Sequence, residues 1–316
     1  MKIPGFEDIL HAHQLISGSI HKTPVMTSRA INEIIGCELF FKCENLQKTG
    51  AFKFRGATNA IFSLTEQQAA RGVGTHSSGN HAAALAYAAA LKGIKAHIVM
   101  PSNSPEIKQK AVAHYGGIIT FCDPTLDSRE TTLQGIVEKT GVEIIHPYNN
   151  NKVIAGQGTA AKELFESTAE LNVIICPVGG GGLLSGTALS AKALSPLCQV
   201  IAAEPSGADD AFRSFNAGYI IPSQNPQTIA DGLLTSLGEI NFAIIRQHVD
   251  QIITVSEESI IEAMRLIWER MKLIVEPSAA VPLAVLLENR EKFINQRVGI
   301  ILSGGNVDLK NLPFKL

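Results

Sequence analysis

The segment from Val173 to Gly182 constrains this chain more than any other. Val173 to Val178 is a near-continuous apolar run, and four consecutive glycines, Gly179 to Gly182, separate it from a helical pattern over Leu183 to Leu194. A strand that is apolar on both faces belongs in a parallel sheet covered by helices on both sides. A tight strand-to-helix turn needs one or two glycines, not four. Four in a row before a helix start make an anion cradle. Backbone N–H groups point at the ligand, the helix end favours negative charge, and no side chain blocks the approach.

The same alternation runs along the whole chain. Strand-like runs fall at 39–41, 96–100, 118–121, 142–145, 200–203 and 299–302. Helical patterns lie between them at 52–64, 79–91, 107–115, 128–139, 153–171 and 259–271. The expectation is an α/β fold with mostly parallel sheets flanked by helices. No Pro/Gly-rich linker cuts the sequence, so two domains would have to be interleaved, the chain leaving one and returning to it.

Composition narrows the function. The 316 residues carry 27 Lys and Arg against 29 Asp and Glu, and 45% are hydrophobic. That is a globular composition without the basic surface of a nucleic-acid binder. The five cysteines, at 37, 43, 122, 176 and 198, form no C-x-x-C pair. An odd, scattered set fits a reducing cytosol. The first eight residues lack the apolar stretch of a signal peptide, and the apolar run Ala82 to Leu91 is too short to span a bilayer. A cytoplasmic protein with a small-molecule ligand, no membrane and no nucleic acid is expected.

The glycines alone do not identify the phosphate. A P-loop needs G-K-[ST] after the glycines, whereas Leu183-Leu184 follows here. A dinucleotide site stays open at this point. Gly180 and Gly182 fill two of three G-x-G-x-x-G positions, Ser185 holds the third, and Glu204 stands where an acidic ribose ligand would.

Three further motifs decide it: Lys53 within 47-QKTGAFKFRGA-57, Ser77-Ser78-Gly79-Asn80-His81, and Leu302-Ser303-Gly304-Gly305-Asn306. Together with the glycine cup, and in this order, they resemble the fold-type-II pyridoxal-phosphate enzymes, more narrowly the serine/threonine dehydratase and serine racemase family. The resemblance runs from about His21 to Leu309. It implies a tryptophan synthase β-subunit-like fold, with a large domain of residues 1–72 and 148–316 and a small domain of residues 73–147. It implies that Lys53 forms the Schiff base and removes the Cα proton, that Asn80 bonds the cofactor hydroxyl, and that Ser303 meets the pyridine nitrogen. Gly179, Gly180, Gly181, Gly182 and Leu183 would hold the phosphate, and Ser77, Ser78, Asn80, His81 and Arg129 the substrate. A neutral Ser303 makes the ring a weaker electron sink than an Asp would, which favours reactions that expel a β-substituent.

The resemblance also implies a Mg²⁺ or Ca²⁺ site at Glu204, Ala208 and Asp210, an all-oxygen set, and a homodimer. Lys48, Thr49, Tyr115 and Ser28 match the racemase nucleotide site, but Arg29, Ala30 and Ala83 depart from it, so ATP activation is not expected. Biosynthetic threonine dehydratases continue after this motif into a regulatory domain, whereas this sequence runs only to Leu316, so feedback control by an end-product amino acid is not expected. The reading favoured by these residues is dehydration of L-serine or L-threonine to a 2-oxo acid and ammonia; Pro147-Tyr148 resembles the dehydratases, and animal racemases have Asn at the position of Tyr148. The alternative is a serine racemase, or a 3-hydroxyaspartate dehydratase, with Lys53 and Ser78 as opposed acid and base.

Overall fold

A computed structural model describes residues 3–77 and 79–314; Ser78 lies outside the described residues. Ten strands occur among them: β1 (Val25–Met26), β2 (Glu38–Cys43), β3 (Val73–His76), β4 (Ala96–Pro101), β5 (Ile118–Cys122), β6 (Glu143–Ile144), β7 (Val173–Pro177), β8 (Gln199–Pro205), β9 (Gln251–Val255) and β10 (Arg297–Leu302). They form a six-stranded sheet of order β1-β2-β10-β7-β8-β9 and a four-stranded sheet of order β5-β4-β3-β6. The β1–β2 pair is antiparallel and every other strand pair is parallel. The chain thus leaves the larger sheet after β2, builds the smaller one, and returns at β7.

The apolar run of β7 sits where its composition demands. Val173 and Ile175 pack with Ile201, Val298 and Ile300 against the helix Pro277–Glu288. Ile174 and Cys176 face the opposite layer with Val200, Leu164 and Leu184. The Ala-rich helix Asn80–Ala90 is almost wholly buried and packs with Phe54, Ala57 and Ile61 of the helix Lys53–Phe62. All five cysteines are free and buried. No helix among the described residues is long and apolar enough to cross a membrane.

Two sequence expectations shift at their ends. The helical pattern over 259–271 divides into an α-helix Glu257–Leu266 and a π-helical turn Ile267–Met271, closed by Lys272 at φ +59°. The pattern over 153–171 stops as a helix at Ser167.

Three helices meet backbone to backbone through glycine. An added Cβ on Gly156, in the helix Asn151–Ser167, would lie 2.6 Å from the Gly56 Cα. One on Gly186, in the helix Gly182–Leu194, would lie 2.5 Å from the Gly158 nitrogen. The central helix therefore touches both the helix that begins at Lys53 and the helix that begins at the glycine cup. A buried ionic cluster fixes the same junction. Arg55 donates to Glu44 Oε2 at 2.7 Å and to Glu163 Oε1 at 2.8 Å, while Lys42 donates to Glu163 Oε2 at 2.6 Å. Two cations balance two carboxylates out of water, so removing one partner strands the others.

Gly156→Ala should therefore lower unfolding stability by about 1–3 kcal/mol, because backbone atoms block the new methyl. Gly135, in the helix Leu126–Thr140, has nothing within 4 Å of an added Cβ. Gly135→Ala should gain up to about 1 kcal/mol from helix propensity. Denaturant melts of the two variants against the parent check both signs.

Candidate active site

In a parallel sheet, ligands gather outside the carboxyl ends of the strands. Ser303 follows β10, the glycine cup follows β7, Ser77 to His81 follow β3, and His146 follows β6. Lys53 joins them from the segment after β2. That segment is tied to the end of β10 by a bridge between Ala51 and Gly304 and by the Phe52 N–H donating to the Ser303 carbonyl at 3.0 Å. Lys53 Nζ donates to the Pro147 carbonyl at 3.0 Å and lies 5.1 Å from the Phe52 ring centroid. Burial lowers its pKa to about 8, against an opposing pull from the Glu276 charge. An amine so placed is a far better nucleophile at neutral pH than a surface lysine.

The glycine cup is shaped by contacts that only glycine permits. Gly181, at φ +90°, caps the helix Gly182–Leu194. A Cβ on Gly180 would fall 2.4 Å from the Tyr148 ring. Buried Asn241 anchors the turn, its Nδ2 donating to the Gly180 carbonyl at 2.7 Å and the Tyr148 carbonyl at 3.1 Å. The first N–H groups of a helix have no partner within it, so the helix start at Gly182 has donors to offer an anion. Leu183 is buried in the first turn behind them, and Ser303 is buried at the end of β10.

Asn80 opens its helix and is held on two sides. Its Nδ2 donates to both oxygens of Glu276, at 2.9 and 3.1 Å, and its Oδ1 accepts from Asn306 Nδ2 at 2.9 Å. Burial, with the nearby Asp231 charge, raises the Glu276 pKa to about 7. Glu276 is absent from the residues singled out by sequence; its one signal was an acid inside the apolar stretch Leu273-Ile274-Val275 before Pro277. Asn241 left no signal at all.

The substrate candidates spread over the smaller sheet. The Ser77 N–H donates to the Val99 carbonyl at 3.1 Å, and its Oγ accepts from the Gly79 N–H at 3.4 Å. Ser78, the candidate opposed acid/base, lies outside the described residues. His81 is buried with Nε2 3.2 Å from the Ile145 carbonyl, and burial drives its pKa down to about 3, so it is neutral. Arg129, on the helix Leu126–Thr140, has a buried Nε with no hydrogen-bond partner among the described residues. Its charge bears on His76, whose ring stands 6.2 Å from that of His146, and His146 in turn feels Lys53.

Glu204 and Asp210 are both buried. Glu204 ends β8 and accepts the Ala211 and Phe212 N–H groups, each at 2.8 Å, which caps the helix Asp210–Ala217. Each oxygen thus accepts one helix N–H and keeps a further lone pair for a second partner. Burial raises Glu204 to about 8 and Asp210 to about 6. Neither Asp210 oxygen makes a well-aligned hydrogen bond among the described residues. Ala208 is buried in the intervening turn. No cluster of three or more His, Cys, Asp or Glu side chains suited to a metal occurs among the described residues.

The chain is similar to known proteins. The family described as pyridoxal-phosphate dependent enzyme matches residues 16–304. A beta-hydroxyaspartate dehydratase of Paracoccus denitrificans is 52% identical over 314 residues, covering 99% of this chain and 100% of that one. The crystal structure of serine racemase from Dictyostelium discoideum superposes with a TM-score of 0.93 at 52% identity, over 97% of this chain and 99% of that chain. Maize serine racemase does so with a TM-score of 0.96 at 47% identity, over 98% and 95%. A family match over most of the chain and a likeness to these structures along its whole length show that the chain belongs to the pyridoxal-phosphate-dependent enzymes of fold type II.

Proposed function

We propose that this protein is an ammonia-lyase for β-hydroxy amino acids whose preferred substrate carries a second carboxylate, 3-hydroxyaspartate, with racemisation of serine as a companion activity. The motifs alone favour L-serine or L-threonine. The whole-length similarity to a beta-hydroxyaspartate dehydratase and to serine racemases moves the weight to the alternative. The observation that carries the choice is Arg129. Its buried Nε–H has no acceptor among the described residues, and its charge bears on His76, whose ring stands 6.2 Å from that of His146. Leaving such a donor unpaired costs free energy that an arriving carboxylate recovers.

The residues present fit pyridoxal phosphate. The cup and the helix start at Gly182 suit its phosphate, Asn80 its hydroxyl, Ser303 its ring nitrogen and Lys53 its aldehyde. When bound, the cofactor supplies the electron sink for charge developing at Cα. Lys53, released by substrate, holds the Cα proton at Nζ; the helix start at Asn80 offers N–H groups to the α-carboxylate. Residues 73–147, read as the small domain, bring Ser77, Asn80 and Arg129 over a large domain that keeps Lys53, the cup and Ser303. Glu204, Asp210 and the Ala208 carbonyl fit a hard divalent cation, given the unsaturated Asp210 oxygens and the all-oxygen donor set.

Four measurements test this reading. Apoenzyme should capture pyridoxal phosphate faster as pH rises, levelling off above about 8, since the lysine must lose its proton to react. Lys53→Ala should show neither the visible absorption of the lysine-bound cofactor nor turnover, and elimination that persists in it overturns the assignment. Arg129→Met should lower kcat/KM for 3-hydroxyaspartate about 10- to 100-fold, with a much smaller fall for serine; equal falls exclude the second-carboxylate role. The panel scores oxo-acid release and product chirality together. Mg²⁺ or Ca²⁺ should raise the thermal midpoint of the parent, and Asp210→Asn should abolish the rise.

A further inference from the structure

His146 is the site residue whose chemistry remains unused. It follows β6, immediately before Pro147, whose carbonyl accepts from Lys53. Its Nδ1 accepts two backbone N–H groups, from Asn149 at 2.9 Å and Tyr148 at 3.3 Å. A ring nitrogen that accepts carries no proton, so in the neutral imidazole the hydrogen sits on Nε2. The ring stands edge to face with Tyr148, centroids 4.5 Å apart, and with His76 at 6.2 Å. Tyr148 lies on the glycine cup, and the His76 side leads to Arg129. The imidazole is half-buried. It is next in sequence to Pro147, whose carbonyl holds the Lys53 amine, and the Lys53 charge bears on it.

We propose that His146 is a catalytic hydrogen-bond donor, holding the departing β-hydroxyl of the substrate through Nε2–H. The proposal rests on the ammonia-lyase reading above. In the elimination, Lys53 takes the Cα proton and the electrons of that bond form Cα=Cβ as the Cβ–O bond breaks. Lys53 Nζ returns the proton it took from Cα to the departing hydroxyl, which leaves as water, so the step is proton-neutral. His146 transfers none. Its Nε2–H stabilises negative charge growing on oxygen while the C–O bond lengthens, the role of an oxyanion donor. Burial and the neighbouring His76 and Lys53 lower its pKa to about 4. It therefore stays a neutral donor with the same tautomer at neutral and alkaline pH.

A bland reading exists: His146 is only the cap of the turn to Asn149. His146→Asn separates the two, because an asparagine oxygen can still accept the same backbone N–H groups while the Nε2 donor is lost. The holoenzyme variant is assayed with serine, 3-hydroxyaspartate and 3-chloroalanine, and by Cα–H exchange of serine in D₂O. Chloride departs without a proton, so it needs little help. We expect elimination from serine and 3-hydroxyaspartate to fall about 10- to 100-fold. Elimination from 3-chloroalanine and Cα–H exchange should change far less. A parallel fall in all four rates, or no fall for serine, overturns the proposal. A parent enzyme inactive on 3-hydroxyaspartate defeats the substrate reading alone, since the serine-to-chloroalanine ratio still reports on His146.

Discussion

The contact between bare backbones at Gly56–Gly156 and Gly158–Gly186 sets the geometry on which the rest depends. One helix, Asn151–Ser167, is pressed against two others, and each of those begins at a functional group. The separation of the Lys53 amine from the glycine cup is therefore fixed by van der Waals contact of main-chain atoms, the least compressible spacer a protein has. Arg55, two residues beyond Lys53, adds direction to that spacing. Its planar fork engages Glu44 and Glu163 at once, so the helix can neither turn nor slide without breaking several buried charge-assisted bonds.

Electrostatics at the site follow from the same architecture. Parallel strands deliver their successors to one side, and the helices that follow present N–H groups there. Full charges are kept few. Burial holds His81 and His146 neutral, lowers Lys53 to about 8 and raises Glu276 to about 7. On the proposed reading, the phosphate and carboxylates would meet dipoles and a guanidinium rather than competing anions. Glu276, the one buried acid against Asn80, is half-protonated near neutrality and turned toward an amide.

Much of this was legible in the sequence, and for identifiable reasons. The β7 run, the four glycines and the helix after them are a local pattern with a local cause. Lys53, Asn80 and Ser303 were legible through motif order. What the sequence hid is long-range. Glu276 reaches Asn80 across 196 positions, and Asn241 reaches the Gly180 carbonyl across 61. Nothing near either residue announces the partner. The helix Pro277–Glu288, with Pro282 inside it, escaped because it is apolar all round and shows no period. The sequence reads Glu204 as a ribose or a metal ligand; the bonds it makes to the first N–H groups of the next helix come from residues seven and eight positions on and give it a structural role besides.

The two sheets divide the site unevenly. Lys53, the cup and Ser303 belong with the larger sheet, while Ser77, Arg129 and His146 follow strands of the smaller one or ride on its helices. Such a split uncouples two kinds of evolutionary change. On the proposed reading, substitutions on the smaller sheet would retune which amino acid is accepted and whether its β-substituent departs. The larger sheet, locked by glycine contacts, would keep the cofactor's place unchanged. A lineage built this way can exchange one reaction for another while inheriting its chemistry intact.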